Sequence, residues 1–423
     1  MRILFLTHRT PYPPDKGEKI RAFHELKHQC AHHEVDLFCL ADAADELRHA
    51  DQLKQFCRSV SITVTGKIGR LLRGGRSFVC GRPISFGHFE CPELQRAVAE
   101  ALSRQNYDLI FVNCSSMAQY VPASCRIPMV VDFVDADSNK FFQYAAASGA
   151  PLSWLYASEG RRVAEAERQI SARAELSLVV TANDAAELGQ GKCSTAKVKV
   201  VPMGVELPAV TAESETLIAQ HQPFVVFLGT MSYRPNADAA AYFAEEIYPL
   251  VRRHTPQLKF VIAGRGAGRS VRNLQRIPGV IVTGEVPNAF AYFRASQVSV
   301  APFRISQGFQ SKIAESLAVG TPVVASRRAA SAIGLSEKEG LFVAEGAAEF
   351  AGKICELMND ARLRSALRSN APSVQEKLRW SSRLNCLDAW LRQAAGQQIE
   401  EAEASVRPGY VPAHDEHANV ACS

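Results

Sequence analysis

The chain has 423 residues, of which 47% are hydrophobic and 22% are charged, and its formal net charge is +5. These proportions are typical of a soluble globular protein. No apolar run approaches the roughly 20 residues that cross a bilayer, and a chain well above roughly 300 residues is expected to form two or three domains.

The first half of the chain alternates apolar runs with amphipathic stretches. The apolar runs predict strands at 3–6, 35–40, 61–64, 109–112, 129–133 and 178–180, and the amphipathic stretches predict helices at 18–31, 43–57, 93–104 and 154–175. The first run is too short for a signal peptide, so we expect a cytoplasmic protein. Strand–helix alternation predicts a parallel sheet with helices on both faces, a doubly wound α/β domain.

The pattern begins again after a polar stretch at 209–222, which we interpret as a linker. Strands are predicted at 224–228, 258–263, 279–283, 297–301 and 322–325, and helices at 237–253, 287–295 and 310–319. We therefore predict one domain at 1–205, a second at 206–372, and a C-terminal helix at 373–395 that packs back toward the first domain. The acid-rich segment 396–423 has few large apolar residues and is predicted to be a disordered tail.

The eleven cysteines are scattered, without the spacing of a zinc site, so no structural metal is expected. Segment 67–82 is basic and holds no acid; its charged residues, Lys67, Arg70, Arg73, Arg76 and Arg82, are interleaved with Ile68, Leu71 and Leu72. Such a segment fits an anionic membrane surface, and a solvated loop with ordinary basic residues is the alternative. No other feature of the sequence supports nucleic-acid binding.

Residues 307–326 carry the strongest functional signal. A loop with Gly308 leads into a predicted helix that bears Lys312 and Glu315 and ends before Gly320. The start of a helix presents unpaired N–H groups and a positive dipole end, which suits a phosphate. The predicted contacts at this helix start are Gly308, Phe309, Gln310, Ser311 and Ile313. Glu315 lies one turn further on, within reach of a ribose, so the segment predicts a sugar-nucleotide site.

Other loops of the second half end strands and are predicted to line the same site. Gly229 and Thr230 offer backbone and hydroxyl groups to a phosphate, and Arg234 and Arg304 offer guanidinium groups. Arg265 lies in the glycine-rich turn 264–268, which follows the second strand of its domain. Because that position does not fit a dinucleotide fingerprint, a dehydrogenase is disfavoured. The backbone at Thr283 is predicted to read a base edge.

In the first half, two loops at strand ends are candidates for a site. A proline-rich loop after the first strand leads to Gly17, whose free N–H is predicted to meet a phosphate. Asp132, Asp135 and Asp137 stand at the end of another strand, where acids serve as a general base, bind substrate hydroxyls or hold a divalent ion. Asp135 is favoured because it lies further out along the chain. Since ligands bind at the carboxyl edges of parallel sheets, a cleft between the two edges is the expected site.

These motifs resemble the retaining glycosyltransferases of family 4, which have the two-domain GT-B fold. The resemblance covers about residues 1–395 and is strongest at Gly308-Phe309, Glu315, Gly320 and Pro322-Val323-Val324-Ala325. Residues 201–205 resemble the family's interdomain Pro-Asn-Gly-Val element. The Pro235-Asn236 pair after Gly229 resembles a subgroup linked to exosortase systems and bacterial exopolysaccharide assembly.

The resemblance implies two doubly wound Rossmann-like domains that face each other across a cleft. It implies a metal-independent, retaining enzyme that binds a nucleoside-diphosphate sugar in the second domain and a glycan or polyprenyl-linked acceptor in the first, peripheral to the inner face of the plasma membrane. Two departures stand out. Gln307 replaces the first of two family glutamates, and Val134-Asp135 stands where the family has His-Asp. We therefore expect Asp135, Lys312 and Arg304 to be catalytic.

Two alternatives to a glycosyltransferase remain open from the sequence. One is a sugar-nucleotide epimerase with the same fold, which would act on the donor without an acceptor. The other is a binding protein that kept the fold and lost catalysis, as the missing histidine and first glutamate would allow.

Overall fold

The computed structural model describes residues 1–15, 17–189, 197–207, 221–305 and 308–397. The predicted linker, apart from residues 221 and 222, and nearly all of the predicted tail lie outside the described residues. The chain divides into two compact units. The first comprises Met1–Pro202 and the described residues from Leu384 onward, and the second comprises Met203–Arg383.

The first unit is a seven-stranded sheet in which every paired strand runs parallel, in the order β3-β2-β1-β4-β5-β6-β7. The strands are β1 (Arg2–Thr7), β2 (Glu34–Ala41), β3 (Ser59–Val64), β4 (Leu109–Asn113), β5 (Met129–Val134), β6 (Leu176–Val179) and β7 (Val198–Val200). The helices are α1 (Gly17–His32), α2 (Ala50–Lys54), α3 (Lys67–Val79), α4 (Ile84–His88), α5 (Pro92–Arg104), α6 (Asp137–Ala146), α7 (Leu152–Arg173) and α8 (Ala182–Leu188), with 3₁₀ turns at Ala44–His49 and Ser115–Tyr120.

The second unit is a six-stranded parallel sheet in the order β10-β9-β8-β11-β12-β13. The strands are β8 (Phe224–Leu228), β9 (Lys259–Ala263), β10 (Val280–Gly284), β11 (Val298–Ala301), β12 (Val323–Ala325) and β13 (Leu341–Val343). The helices are α9 (Arg234–Tyr242), α10 (Tyr248–His254), α11 (Arg269–Asn273), α12 (Ala289–Ala295), α13 (Ser311–Ala318), α14 (Arg327–Ala330), α15 (Gly346–Asn359), α16 (Ala361–Ser369), α17 (Ala371–Leu378) and α18 (Trp380–Arg383), with 3₁₀ turns at Leu274–Arg276 and Glu337–Glu339.

Both sheets form because their central strands are apolar along their whole length. Every residue of β4 and β8 is buried, as expected for strands covered by helices on both faces. In the second unit, Phe243, Tyr248 and Phe260 pack together under the sheet, with the Phe243 and Phe260 ring centroids 4.4 Å apart. Two parallel-sheet Rossmann-like α/β units are therefore confirmed.

The structure differs from the predicted elements in several places. The helix predicted at 43–57 is a 3₁₀ turn at Ala44–His49 followed by the short helix α2. The helix predicted at 237–253 is divided by a π-helical turn at Phe243–Ile247, immediately before Pro249, which has no N–H to continue an α-helix. Strand β13 has only three residues and was not predicted. Residues 67–79 form helix α3 rather than a loop.

The start and the end of the second unit pair with each other. The N–H of Val205 donates to the Leu378 carbonyl at 2.7 Å, and Val205 forms a parallel bridge with Arg379. A Cβ on Gly204 would lie 2.6 Å from the Trp380 ring, so only glycine permits this approach. The final helix, α19 (Leu387–Ala394), belongs to the first unit, where Asp388 lies 2.7 Å from His33. No helix within the described ranges is long and apolar enough to cross a membrane.

Candidate functional site

The strand order of the second unit reverses between β8 and β11, which are hydrogen-bonded neighbours. The loops that follow these strands diverge at such a switch point and leave a crevice at the carboxyl edge of the sheet. The loop after β8 begins with Gly229, and the segment after β11 leads through Phe303 to helix α13. The sheet topology therefore brings together the two loops from which the sequence predicts a phosphate site.

Lys312, the second residue of α13, crosses this crevice. Its Nζ donates to the Asn236 side-chain oxygen at 2.6 Å and lies 4.6 Å from the Phe303 ring centroid and 4.9 Å from that of Phe227. Phe227 belongs to β8 and Phe303 follows β11, so one ammonium group sits over both arms of the switch point. Its contact with the two rings provides partial cation–π stabilisation but no counter-charge.

The charge of Lys312 is poorly compensated. Burial lowers the pKa of its amine to about 7, and the opposing effect of Glu315 does not cancel it. Burial likewise raises the pKa of the Glu315 carboxyl to about 7, against the effect of Lys312. A ligand that brings negative charge to Lys312 would restore its ordinary protonation, so the crevice is suited to an anion.

Two glycines shape the floor beside Lys312. A Cβ on Gly229 would lie 3.1 Å from the Lys312 Nζ and 2.8 Å from the Asn236 amide nitrogen. Gly264 has a φ of +138°, and a Cβ there would fall 1.9 Å from the Gly229 carbonyl oxygen. Gly264 therefore requires glycine, because a side chain there would push the two backbone loops apart, whereas a side chain at Gly229 would displace the Asn236 and Lys312 side chains.

Asn236 fixes the orientation of the Lys312 amine. Its side-chain nitrogen donates to the Thr230 carbonyl at 2.9 Å, which directs its oxygen toward the amine. Asn236 is buried in the first turn of α9, directly after Pro235. In the sequence the Pro-Asn pair indicates only a resemblance, whereas in the structure the Asn236 amide positions the candidate cation.

The start of α13 offers backbone N–H groups to a ligand as predicted, except at Ile313. Gly308 has a φ of +64°, Gln310 is the N-cap, and Ser311 is the first helical residue. Phe309 is half-buried and packs against the core of the unit. Ile313 is fully buried, and its N–H donates to the Gln310 carbonyl at 2.9 Å, so this amide already has a partner. The amides of Ser311 and Lys312 thus remain the candidates for a phosphate.

Arg304, which the sequence predicts to offer its guanidinium to a phosphate, already has acidic partners in the structure. Its guanidinium forms a two-pronged pair with Asp238, with N–O distances of 3.1 and 2.6 Å, and stacks 4.8 Å from the Tyr242 ring centroid. Glu246 lies 3.6 Å away. These partners were not predicted, because the two acids lie on α9 and on the turn after it, far from Arg304 in sequence. A role in phosphate binding would require this pair to open.

The remaining predicted contacts lie on loops at the same edge. Arg234 begins α9 and is exposed, and Arg265 is exposed while its carbonyl accepts from the Met231 N–H at 2.8 Å. Thr283 is half-buried at the end of β10, where its hydroxyl donates to the Gly284 carbonyl at 3.0 Å. The predicted first glutamate position, Gln307, lies outside the described residues.

The first unit has its own cluster at the carboxyl edge of β1, β4 and β5. Arg21 of α1 is completely buried and binds Asp132 through two hydrogen bonds of 2.6 and 2.9 Å. It also donates to the Val201 carbonyl at 2.8 Å and lies 3.1 Å from Glu25. The Asn113 amide donates to both Glu25 and Asp132 at 3.2 Å. Asp132 is therefore a structural anchor, and sequence reasoning did not connect it with Arg21.

Electrostatics explain why this buried cluster holds its charges. Although burial alone would lower the pKa of Arg21, the adjacent carboxylates of Asp132 and Glu25 raise it. Burial raises the pKa of Glu25 well above its ordinary value, and Arg21 opposes that effect. Breaking one partner out of such a set leaves an uncompensated buried charge.

Directly after Asp132 the backbone is strained. Val134 has a φ of +66°, a region that a β-branched residue rarely adopts, at a register irregularity between β5 and β6. Cys114, at the end of the neighbouring β4, has a φ of +77°. They are the two positive-φ residues other than glycine in the described part of the chain. Strain that persists at one sheet edge is typical of functional sites.

Asp135 follows the strained residue. Burial raises its pKa to about 7, and the neighbouring Asp184 and Asp137 add to the effect, while Arg21 and Lys140 oppose it. A carboxyl with a pKa near neutrality is suited to proton transfer. Its position at the carboxyl edge of β5 agrees with the preference for Asp135 over Asp132.

Gly17 is the exposed first residue of α1, where an added Cβ would meet nothing within 4 Å, so no close backbone approach requires glycine there. Lys16 lies outside the described residues. Across the ranges that the structure describes, no group of three or more histidine, cysteine or acidic side chains is arranged to hold a metal ion.

Two parallel α/β units of this kind define the GT-B fold. Solved structures confirm it: the Anabaena protein HepE in complex with UDP has a TM-score of 0.65 at 16% identity, covering 93% of this chain and 100% of that one. Sucrose-phosphate synthase from Thermosynechococcus elongatus has a TM-score of 0.65 at 16% identity, covering 93% of this chain and 98% of that one. At such identities the likeness establishes the fold alone.

The family match falls within the second unit. Residues 222–360, about a third of the chain, match the family described as glycosyl transferases group 1. A phosphatidyl-myo-inositol mannosyltransferase from Propionibacterium freudenreichii is 32% identical over 145 residues, which are 34% of this chain and 36% of that protein. The chain thus aligns with little more than a third of that relative's length.

Proposed function

We propose that the protein is a glycosyltransferase that binds a nucleoside-diphosphate sugar in its second unit. The observation that carries the proposal is the half-buried Lys312 amine, which lies beside Gly229 at the start of α13 and whose pKa is lowered toward neutrality. The match of residues 222–360 to glycosyl transferases group 1 covers this site.

The geometry favours a diphosphate over a smaller anion. The Ser311 and Lys312 amides and the Lys312 ammonium lie together at the start of α13, and several donors suit a group with several oxygens. The Gly229 N–H is not one of these donors, because it donates to the Ala263 carbonyl at 3.1 Å. Glu315 lies one turn further along α13, about 5 Å from the phosphate end, which places a carboxylate within reach of a ribose. HepE, which has the same fold, has been crystallised with UDP and with UDP-glucose.

The chemistry that we assign to this crevice is stabilisation of the leaving diphosphate. Negative charge grows on the diphosphate as the sugar departs, and a preorganised cation in a dry site lowers the barrier for that step. Lys312 supplies the charge, and Asn236 holds it in place. Because protein groups supply the positive charge, we expect transfer to persist in the presence of a metal chelator.

We place the acceptor at the carboxyl edge of the first unit. Asp135 lies at this edge and has a pKa near neutrality. We expect its carboxyl to bind an acceptor hydroxyl or to receive the proton of that hydroxyl. A glycan or lipid-linked acceptor, retention of anomeric configuration and a role in exopolysaccharide assembly complete the proposal, and these rest on the sequence resemblance.

A panel of sugar nucleotides tests the proposal, first by thermal stabilisation and then by transfer to acceptors. Lys312→Ala should lower turnover by about 10²–10³, more than it lowers affinity, because its charge acts mainly on the transition state. Glu315→Ala should weaken nucleotide binding with the fold intact, and Arg253→Ala, on an exposed site of α10, serves as the control. Sugar release from the donor without acceptor would indicate the epimerase instead. Absence of nucleotide binding in calorimetry would indicate a protein that kept the fold and lost catalysis.

A further inference from the structure

Helix α3 of the first unit has its apolar face toward solvent and its polar face toward the protein. It buries Arg70, Gly74 and Ser77 and exposes its large apolar side chains. Ile68 is 78% exposed, Leu71 75%, Leu72 69% and Val79 86%. These four positions are spaced at three, four and eleven residues from Ile68, so they form one stripe along the helix. A stripe of this kind normally faces a protein core.

The orientation of α3 is fixed by polar bonds on its buried face. The Arg70 side chain donates to the Thr65 hydroxyl at 2.5 Å and to the Ala41 carbonyl at 3.2 Å, and it pairs with Asp42. Rotating the helix to bury its leucines would break this set and leave Asp42 with Arg9 as its remaining guanidinium partner. The apolar stripe is therefore held outward.

Close packing with α4 holds the same orientation. A Cβ on Gly87 would lie 2.4 Å from the Ser77 Cβ, and one on Gly74 would lie 3.2 Å from an Ile84 methyl group. The Ser77 hydroxyl donates to the Pro83 carbonyl at 2.7 Å. Small residues on both helices thus allow a contact that larger side chains would prevent, and the bulky residues of α3 remain on the other face.

The exposed apolar surface continues onto α7. The Phe78 ring meets the Trp154 ring edge-on with centroids 6.2 Å apart, and Trp154 is 63% exposed. Arg162 stacks 4.2 Å above Phe78 and donates to its carbonyl at 2.6 Å, which ties the two helices together. We call the surface formed by Ile68, Leu71, Leu72, Val79 and Trp154 the α3 face.

The charge around the α3 face is mainly positive, although Arg82 pairs with Glu90 at 3.3 Å. Lys67, Arg76 and Arg82 are exposed and Arg73 is half-buried, and no acidic residue occurs between Thr65 and Phe89. Elsewhere the described surface is different, because the second unit contributes only Tyr233 to the exposed large apolar side chains. The apolar stripe and the cations are therefore a local feature of the first unit.

We propose that the α3 face docks the protein on an anionic lipid surface, with Ile68, Leu71 and Leu72 in the interfacial region. Outward aliphatic residues, flanking cations and a tryptophan are the combination that such interfaces bind. A second copy of this chain fits less well, because a symmetric contact would bring like charges together. This proposal does not depend on the transferase reaction.

The test measures sedimentation of the full chain with vesicles. Binding is expected to vesicles that contain about a third phosphatidylglycerol and to be much weaker on pure phosphatidylcholine, since each basic residue contributes about fivefold to binding an anionic surface. Leu71→Ser combined with Leu72→Ser should lower binding at least about tenfold. Leu47→Ser is the matched control, because Leu47 is 46% exposed and lies outside the α3 face.

A charge pair and a fluorescence signal complete the test. Lys67→Gln with Arg76→Gln should weaken binding to the anionic vesicles, whereas Arg253→Gln with Arg328→Gln should not. Trp154 emission should shift to the blue on binding, and Trp154→Phe should remove that shift, since Trp380 is buried and Trp390 is half-buried on α19, outside the α3 face. Equal binding by the Leu71/Leu72 variant, no binding to either vesicle, or lipid-free dimers that this variant abolishes would each overturn the proposal.

Discussion

Raising the pH should weaken binding of the sugar nucleotide through Lys312. In the free protein, burial holds the pKa of this amine at about 7, far below its ordinary value. A bound diphosphate favours the charged amine and so raises its pKa, which couples binding to proton uptake. Above the lowered pKa the free protein must gain a proton in order to bind, and affinity therefore falls as the pH rises.

The size of the effect follows from the titration of one group. With a pKa of about 7 in the free protein, the amine is about nine-tenths charged at about pH 6 and about one-tenth charged at about pH 8. The dissociation constant should therefore rise about tenfold between these two values, which is about 1.4 kcal/mol. The Glu315 carboxyl, with a pKa of about 7, titrates over the same range, so its contribution is separated from that of Lys312 by a variant.

Calorimetry in two buffers of different ionisation enthalpy measures both quantities. A sugar nucleotide is a suitable probe because its diphosphate does not titrate near neutral pH. We expect an uptake of about half a proton at about pH 7 from Lys312 and a smaller pH dependence in Lys312→Met. Glu315→Gln should retain the part due to Lys312. The same slope in Lys312→Met as in the unmodified protein would refute the reasoning.

Two further substitutions probe the two sheet edges. Gly264→Ala places a Cβ 1.9 Å from the Gly229 carbonyl oxygen and should abolish sugar-nucleotide binding in calorimetry. Gly268→Ala is the control, because its Cβ meets nothing within 4 Å, and it should bind normally. Unchanged affinity in Gly264→Ala would contradict the requirement for glycine at this position. Arg21→Met leaves Asp132 and Glu25 buried without their cation. It should lower the free energy of unfolding of the first unit by about 3–5 kcal/mol, measured by urea titration. A loss below about 1 kcal/mol would contradict the role of Arg21 as the counter-charge of these two acids.

The sequence predicted the fold well because the signal for it is local. Each central strand is an apolar run, and alternation with amphipathic stretches specifies a parallel sheet without knowledge of distant contacts. Strand β13 escaped prediction because three residues give too short a pattern. The loops after β8 and β11 were also identifiable, since glycines and a lysine next to a helix start are visible in the chain.

The side-chain partners could not be predicted in the same way. Arg21 and Asp132 are 111 residues apart, and nothing in the sequence indicates that the two side chains bind each other. Arg304 was predicted to contact a phosphate, and its bond to Asp238, which lies 66 residues away, was not predicted. Helix α3 shows the same limit, because its apolar stripe is readable, while the bonds of Arg70 that turn the stripe outward depend on residues of other elements.

The strained Val134 is a third kind of feature that the sequence conceals. A valine in a strand-like run is expected to be extended, and nothing in residues 129–137 predicts a φ of +66°. The strain arises from the register irregularity between β5 and β6, which is a property of the assembled sheet. It places Asp135 beyond the edge of the sheet, which the residue order alone suggested only as a distance along the chain.

A crystal structure of the protein with a bound UDP- or GDP-sugar tests the central claim most directly. We predict that the diphosphate lies against the Ser311 and Lys312 amides, within hydrogen-bond distance of the Lys312 Nζ, and that the ribose hydroxyls reach Glu315. A nucleotide bound at another edge of the second unit, or a Lys312 amine that keeps Asn236 as its partner and makes no contact with the phosphates, would contradict it.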